Sequence, residues 1–83
     1  MTAEQRLAAF LLSFSRRHKR LGYSATRFVL RMTREEIGSY LGLTLETISR
    51  LFSRFQREAL VAVQQREVEL KNTGRLMEMV GHW

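Results

Sequence analysis

A short segment near the middle of the chain carries polar side chains whose types and spacing suit contact with a nucleic acid. At about 100° per residue along a helix, one side collects an acid, hydroxyls and arginines, namely Glu46, Ser49, Arg50, Ser53 and Arg57. We call this set the polar face. The opposite side is apolar, with Leu45, Ile48, Phe52 and Phe55. Exposed side chains of the polar types can hydrogen-bond to base edges and phosphates in the major groove of DNA.

The residues before this helix predict a shorter helix that positions it. Thr33 and Glu36 match a capping box, in which a hydroxyl and a carboxylate bind free amides at the start of a helix. The expected apolar face consists of Ile37, Tyr40 and Leu41. Gly42 is predicted to end this helix and Thr44 to cap the next one.

Gly38 lies inside the shorter helix, where a glycine costs roughly 1 kcal/mol relative to alanine. We infer that it lets the following helix approach closely. Two helices joined by about three residues are expected to cross steeply, as in a helix-turn-helix. Residues 33–58 are therefore predicted to form a helix-turn-helix, with its second helix over about 45–58.

Periodicity also predicts elements on both sides of this unit. Apolar residues at three- and four-residue spacing indicate a first helix over about residues 3–19, ended by Gly22. Residues 23–32 are predicted to form a loop followed by a short strand. Either Asn72 or Thr73 can cap a last short helix that ends at Gly81.

Residues 60–71 allow two interpretations. No glycine or proline interrupts the stretch from Leu43 to Asn72, so one long helix is possible. Apolar and polar residues alternate on both sides of Gln64–Arg66, which favours a β-hairpin. Because the turn lacks the Asn-Gly pair or glycine usual in tight hairpins, the local pattern prefers the hairpin only slightly.

Composition limits the class of protein. The 83 residues suit one small domain, and without cysteine there is no disulfide and no cysteine-bound metal or cluster. A net charge of +6 favours a polyanionic partner, either nucleic acid or an anionic membrane surface. No run of 18 or more apolar residues and no signal peptide occur, so a cytoplasmic location is expected.

An enzyme is disfavoured by the sequence. His18 and His82 lie far apart, Ser49 has no evident base, and neither a phosphate-binding loop nor metal-ligand spacing is present. RNA binding is disfavoured because the usual aromatic stacking platform is lacking. The remaining alternative to DNA binding is an all-helical protein-interaction module built on the stretch from Leu43 to Asn72.

The sequence resembles the DNA-binding domain of the CRP/FNR superfamily of bacterial transcription regulators, and more closely its FNR/Anr branch. The hallmark E-T-I-S-R of that branch is present as Glu46–Arg50. The similarity also includes residues 3–10, 15–17, 33–38, 40–51 and 55–56, and it extends over essentially the whole chain.

The resemblance implies one winged helix-turn-helix domain over residues 1–83, mainly α with a small β-hairpin as a wing at about 60–71. Relatives carry a sensor domain and a dimerisation helix before this domain, and we expect both to be absent here. A sensor ligand or iron–sulfur cluster would lie in that missing part, so no cofactor is expected in this chain. The full-length parent would be a homodimer, and the isolated chain a monomer or weak dimer.

The resemblance also assigns roles to individual residues. Glu46 and Arg50 would read a G·C pair, since arginine donates to guanine O6 and N7 and glutamate accepts from cytosine N4. Their spacing of one helical turn would let the glutamate hold the guanidinium; a solvated salt bridge is the alternative. Ser49 would contact a thymine, which favours a TTGAT-like half-site over the TGTGA-like site of CRP, where glycine replaces serine.

Further residues match family positions at the edges of this surface. Phosphate contacts are implied for Thr33, Arg34, Thr44, Thr47 and Arg54. The residues His18, Tyr23 and Ser24 match the surface that activators of this branch use against RNA polymerase. Phe28 belongs to the same region, but burial in the predicted strand explains it more simply.

Overall fold

The computed structural model describes residues 1–81, and His82 lies outside them. Four helices surround a small three-stranded antiparallel sheet. In chain order the elements are α1 (Ala3–Arg20), β1 (Arg27–Val29), α2 (Arg34–Leu41), α3 (Leu45–Arg57), β2 (Val61–Gln64), β3 (Glu67–Leu70) and α4 (Thr73–Val80). The mainly α, winged helix-turn-helix prediction is confirmed, and the all-helical alternative is wrong because residues 61–70 form two paired strands.

The wing is larger than the predicted hairpin. The strand order is β1-β3-β2, so β1 adds a third strand on the far side of β3. Phe28 of β1 stands opposite Val68, and Val63 of β2 stands opposite the same residue. Phe28 and Val68 are both buried, which explains why the short strand β1 is anchored to the sheet. Packing across the sheet could not be seen in the local pattern.

The turn of the wing explains the weak sequence signal for a hairpin. Gln65 adopts a left-handed conformation, with φ 58°. Glycine or asparagine usually supplies such a conformation in a two-residue hairpin turn. The amide of Leu30 donates to the carbonyl oxygen of Arg66 at 2.7 Å, so the residue directly after β1 helps to hold this turn. Tertiary contacts therefore replace the missing turn residue.

The helix caps form as the sequence predicts. In α2, the Thr33 hydroxyl accepts from the amide of Glu36, and the Glu36 carboxylate accepts from the amide of Thr33 at 2.8 Å. Gly42 ends α2 in the left-handed conformation, with φ 74°. Asn72, one of the two predicted candidates, caps α4 by accepting from the amide of Arg75. These caps fix where each helix starts without help from distant residues.

One core joins all the elements. It comprises buried residues from every helix and strand, among them Leu7, Leu11, Ile37, Ile48, Phe52, Phe55, Val61, Val68 and Leu76. Two apolar predictions were wrong. Tyr40 is 72% exposed, with a ring contact to Phe10, and Leu45 is 48% exposed. The neighbouring Leu41 and Leu43 pack against the core instead. Leu51 is buried in place of Leu45.

Gly38 forms the close contact between the two helices of the helix-turn-helix. A Cβ atom at this position would lie 2.6 Å from the backbone oxygen of Leu43 and 3.4 Å from Ile48 Cγ1. The amide of Leu43 also donates to the Gly38 carbonyl oxygen at 2.7 Å. Any side chain would therefore push the turn and α3 away from α2, which confirms the inferred role of this glycine.

Gly38→Ala is expected to destabilise the domain by about 1–3 kcal/mol, because overpacking against a backbone atom outweighs the better helix propensity of alanine. Gly74→Ala is the matched control, since its Cβ would meet nothing nearer than 3.8 Å. Urea unfolding followed by circular dichroism measures both. Equal stability of Gly38→Ala and wild type would contradict the close-contact interpretation.

Candidate nucleic-acid interface

The polar face lies on the outside of α3. Ile48, Leu51, Phe52 and Phe55 are buried on the inner side of this helix. The five residues of the polar face are all exposed. The start of α3 is fixed by Thr44, whose hydroxyl accepts from the amide of Thr47 at 3.2 Å and donates to the Thr47 hydroxyl at 3.0 Å. Burial of one side therefore presents the other to a partner along the whole helix.

Glu46 and Arg50 have the exposure that base contacts need, but they do not hold each other. Within residues 1–81, neither side chain makes a hydrogen bond or an ion pair. The expectation that the glutamate holds the guanidinium is therefore not met. Because no internal partner occupies either group, the carboxylate can accept and the guanidinium can donate to an external molecule. Ser49 lies beside them and is exposed as well.

The threonines predicted to contact phosphates at the helix starts already cap these helices. The hydroxyls of Thr33 and Thr44 each accept an amide of their own helix. The first amides of α2 and α3 mark the positive ends of the helix dipoles, where anions are favoured. Thr33, Thr44 and Thr47 thus lie at positions compatible with phosphate contact, and the role itself stays a prediction.

The Arg34 side chain packs against an aromatic ring of α3. Its guanidinium carbon lies 4.1 Å from the centre of the Phe52 ring. Partial burial lowers the pKa of Arg34 from its ordinary value, although the group remains a cation at neutral pH. A cation within about 6 Å of a ring centre is attracted to the ring. Arg34 therefore joins α2 to α3 in addition to any contact with DNA.

Arg54 already has carboxylate partners within the domain, and its predicted phosphate contact stays a prediction. Its Nε atom donates to Glu58 Oε2 at 2.9 Å, and one terminal nitrogen lies 3.4 Å from Glu4 Oε1. The hydrogen bond to Glu58, and then the charge of Glu58, raise the pKa of Arg54. The spacing of Arg54 and Glu58 could have suggested the first partner. Glu4 is 50 residues away, and no local signal indicated it.

A shallow groove runs between the start of α1 and the outer side of α3. It is lined by Ala3, Glu4, Thr47, Ser49, Arg50, Leu51, Ser53, Arg54 and Arg57. The groove therefore collects most of the polar face together with the ion-paired Arg54. Three of its side chains are cations and one is an acid, so its local charge is positive.

The residues predicted to face RNA polymerase lie at the other end of α1. His18 packs near Phe28, with ring centres 5.5 Å apart, and Tyr23 lies 5.8 Å from His18. Tyr23 is 67% exposed, whereas Phe28 is buried, as the strand interpretation expected. The Ser24 hydroxyl accepts from the amides of Thr26 and Arg27, so it shapes the loop before β1.

Residues 1–81 contain no cluster of three or more metal-ligating side chains. Over the same residues, none of the helices has the length and apolar character needed to cross a bilayer.

The fold and the exposed polar face define a winged helix-turn-helix of the kind that places one helix in a DNA groove. Residues 5–79 match the model of the Crp-like helix-turn-helix domain. The chain therefore belongs to this family, which occurs in transcription regulators of the CRP/FNR type.

Named relatives agree with this assignment. The chain is 64% identical to the transcriptional regulatory protein btr of Bordetella pertussis over 98% of its own length and 34% of that protein. It is 49% identical to the fumarate and nitrate reduction regulatory protein of Escherichia coli, over 96% and 32% respectively. The chain thus spans about a third of the length of these curated relatives.

Solved structures show the same fold. FixK2 of Bradyrhizobium japonicum superposes with a TM-score of 0.85 and 37% identity, covering 99% of this chain and 40% of that one. The catabolite activator protein of Thermus thermophilus gives a TM-score of 0.72 at 27% identity, covering 94% and 33%. The winged arrangement is therefore common to this chain and to regulators of the family.

The capping box of α2 gives a pH-dependent prediction. Hydrogen bonds from Thr33, and to a smaller extent the charge of Arg66, lower the pKa of Glu36. A carboxylate with a lowered pKa stabilises the fold at neutral pH, and this contribution is lost as the pH falls through the acidic range.

Glu36→Gln should therefore lose less stability than wild type on acidification. Glu35→Gln in the same helical turn is the matched control, and it should follow the wild-type pH profile. Thermal unfolding between neutral and acidic pH measures all three proteins. Parallel profiles for Glu36→Gln and wild type would contradict the role of the carboxylate in the cap.

Proposed function

We propose that the chain binds double-stranded DNA sequence-specifically, with α3 in the major groove of a TTGAT-like half-site. The observation that carries this proposal is the two-sided character of α3. Its inner side is buried in the core, while Glu46, Ser49 and Arg50 are exposed without internal partners. Membership of a family of DNA-binding regulators supports it.

In the proposed complex each base contact has a chemical reason. Arg50 donates two parallel hydrogen bonds to guanine, and Glu46 accepts from the amino group of the paired cytosine. Ser49 contacts a neighbouring thymine, which distinguishes the TTGAT-like half-site from a TGTGA-like one. The net charge of +6 adds a sequence-independent attraction to phosphates.

The partners of the complete regulator belong to the same proposal. A homodimer would place two copies of α3 on the two half-sites of a palindrome, since operator symmetry reflects protein symmetry. The related regulators named above support a role in transcription control. A single domain would bind one half-site, and therefore more weakly than the dimer.

Arg50→Ala should cost about 1–3 kcal/mol of binding free energy on a TTGAT duplex and should reduce the preference for the G·C pair. Lys19→Ala is the matched control, because it removes the same charge far from the groove. Lys19 lies about 22 Å along α1 from Glu4, which lines the groove. Fluorescence anisotropy titrations on TTGAT and scrambled duplexes at about 150 mM salt measure the difference. Equal affinity of wild type for both duplexes would refute sequence-specific binding.

We propose further that Tyr23, His18 and Ser24 contact RNA polymerase in an activating complex. The large exposure of Tyr23 beside the ring of His18 supports this contact. Tyr23→Ala should leave DNA affinity unchanged but weaken the ternary complex of the chain, polymerase and a TTGAT promoter. A mobility-shift assay with added polymerase measures this, and an unchanged ternary complex would contradict the assignment.

A further inference from the structure

Among the three arginines that line the groove beside α3, only Arg54 is paired with carboxylates within residues 1–81. Arg50 and Arg57 make no ion pair there, whereas Arg54 contacts Glu58 at 2.9 Å and Glu4 at 3.4 Å. Glu4 lies in the first turn of α1, Arg54 in the last turn of α3, and Glu58 directly after α3. We call Arg54, Glu4 and Glu58 the ion-pair cluster.

Stability is a poor explanation for this cluster. The side chains of Arg54, Glu4 and Glu58 are 47%, 34% and 44% exposed, and ion pairs at such exposure add little to folding. The cluster also places two carboxylates at the edge of the surface proposed to meet a polyanion. Acidic side chains at such an edge repel phosphates. Their role here must therefore lie in their contact with Arg54.

We propose that Glu4 and Glu58 are positioning residues that withhold the charge of Arg54 from DNA phosphates. This inference rests on the proposed DNA-binding function. It concerns the part of the DNA affinity that does not depend on the base sequence. In the unbound domain the guanidinium donates to two carboxylates, so a phosphate must compete with both of them. The cluster thereby lowers affinity for every DNA sequence equally, while discrimination between sequences stays with Glu46, Ser49 and Arg50.

The geometry explains why both carboxylates matter. Glu58 binds the Nε atom and Glu4 binds a terminal nitrogen, so the two acids occupy different donors of one guanidinium. Removal of one acid leaves the other to hold the side chain. Because Glu4 belongs to α1, the cluster also connects the start of that helix to α3.

The test is the double variant Glu4→Gln with Glu58→Gln, titrated by fluorescence anisotropy on scrambled and TTGAT duplexes between about 50 and 200 mM salt. Release of Arg54 should add one phosphate contact, which steepens the dependence of log affinity on log salt by about 0.9 and raises affinity roughly fivefold at 150 mM salt. The gain should be the same on both duplexes. Circular dichroism confirms that each variant is folded.

Two controls separate release of Arg54 from a general change of charge. The pair Glu67→Gln with Glu78→Gln removes the same charge from exposed residues that form no ion pair within residues 1–81, and it should leave the slope nearly unchanged. In an Arg54→Gln background, the gain from the Glu4 and Glu58 substitutions should shrink to that of this control.

An unchanged salt slope in the double variant would overturn the proposal. A gain that persists undiminished without Arg54 would overturn it too, since the acids would then act only through their charge. Both results leave wild-type binding intact and so leave the proposed function standing. Loss of salt-dependent duplex binding by wild type would refute that function instead.

Discussion

The contact between Gly38 and the carbonyl oxygen of Leu43 determines how α3 is presented. At this point the backbone of α2 meets the turn so closely that a Cβ atom would stand 2.6 Å from an oxygen. The turn therefore follows one path, and Thr44 begins α3 at a fixed position, with Ile48 packed beneath. Protein interiors are close-packed, so a shift here would be transmitted along the whole helix. The orientation of the polar face depends on a residue that has no side chain.

Packing on the inner side of α3 leaves the outer side available. Ile48, Phe52 and Phe55 are buried in the common core, whereas Glu46 and Arg50 make no hydrogen bond or ion pair within residues 1–81. Arg34 is placed over the Phe52 ring and joins α2 to the same helix. The inner side of α3 is therefore closely packed, and the unpaired polar groups Glu46 and Arg50 lie on the outer side, where a partner can reach them. A surface with this division suits recognition by hydrogen bonds, because the packed inner side holds the helix that carries the unpaired polar groups.

Local signals predicted the elements well, and long-range contacts limited the prediction of the site. Caps at Thr33 and Thr44 and the glycine at position 38 depend on neighbouring residues, so their roles were visible in the sequence. The sequence predicted β1 as a strand but did not show that it joins the sheet of the wing. Its pairing with β3 joins residues about 40 positions apart. Tyr40 and Leu45 fit the apolar period but remain exposed, because the neighbouring Leu41 and Leu43 pack against the core instead.

The same distinction applies to the charged residues. The period of α3 correctly identified the polar side chains that are exposed, but it could not show which of them are already bound. Arg54 resembles Arg50 in the sequence, and only the fold brings Glu4 to one and not to the other. The two arginines therefore differ: Arg50 is available to an external partner, while the charge of Arg54 is partly compensated within the domain.

Nuclear magnetic resonance mapping of a duplex titration tests the central claim most directly. Amide shifts of the ¹⁵N-labelled chain would be followed as a TTGAT duplex is added. Recognition through the polar face predicts the largest changes at Glu46, Ser49 and Arg50 and at the starts of α2 and α3, with little change around Tyr23. Changes concentrated around Tyr23 or α4, with α3 unaffected, would contradict the proposed mode of binding.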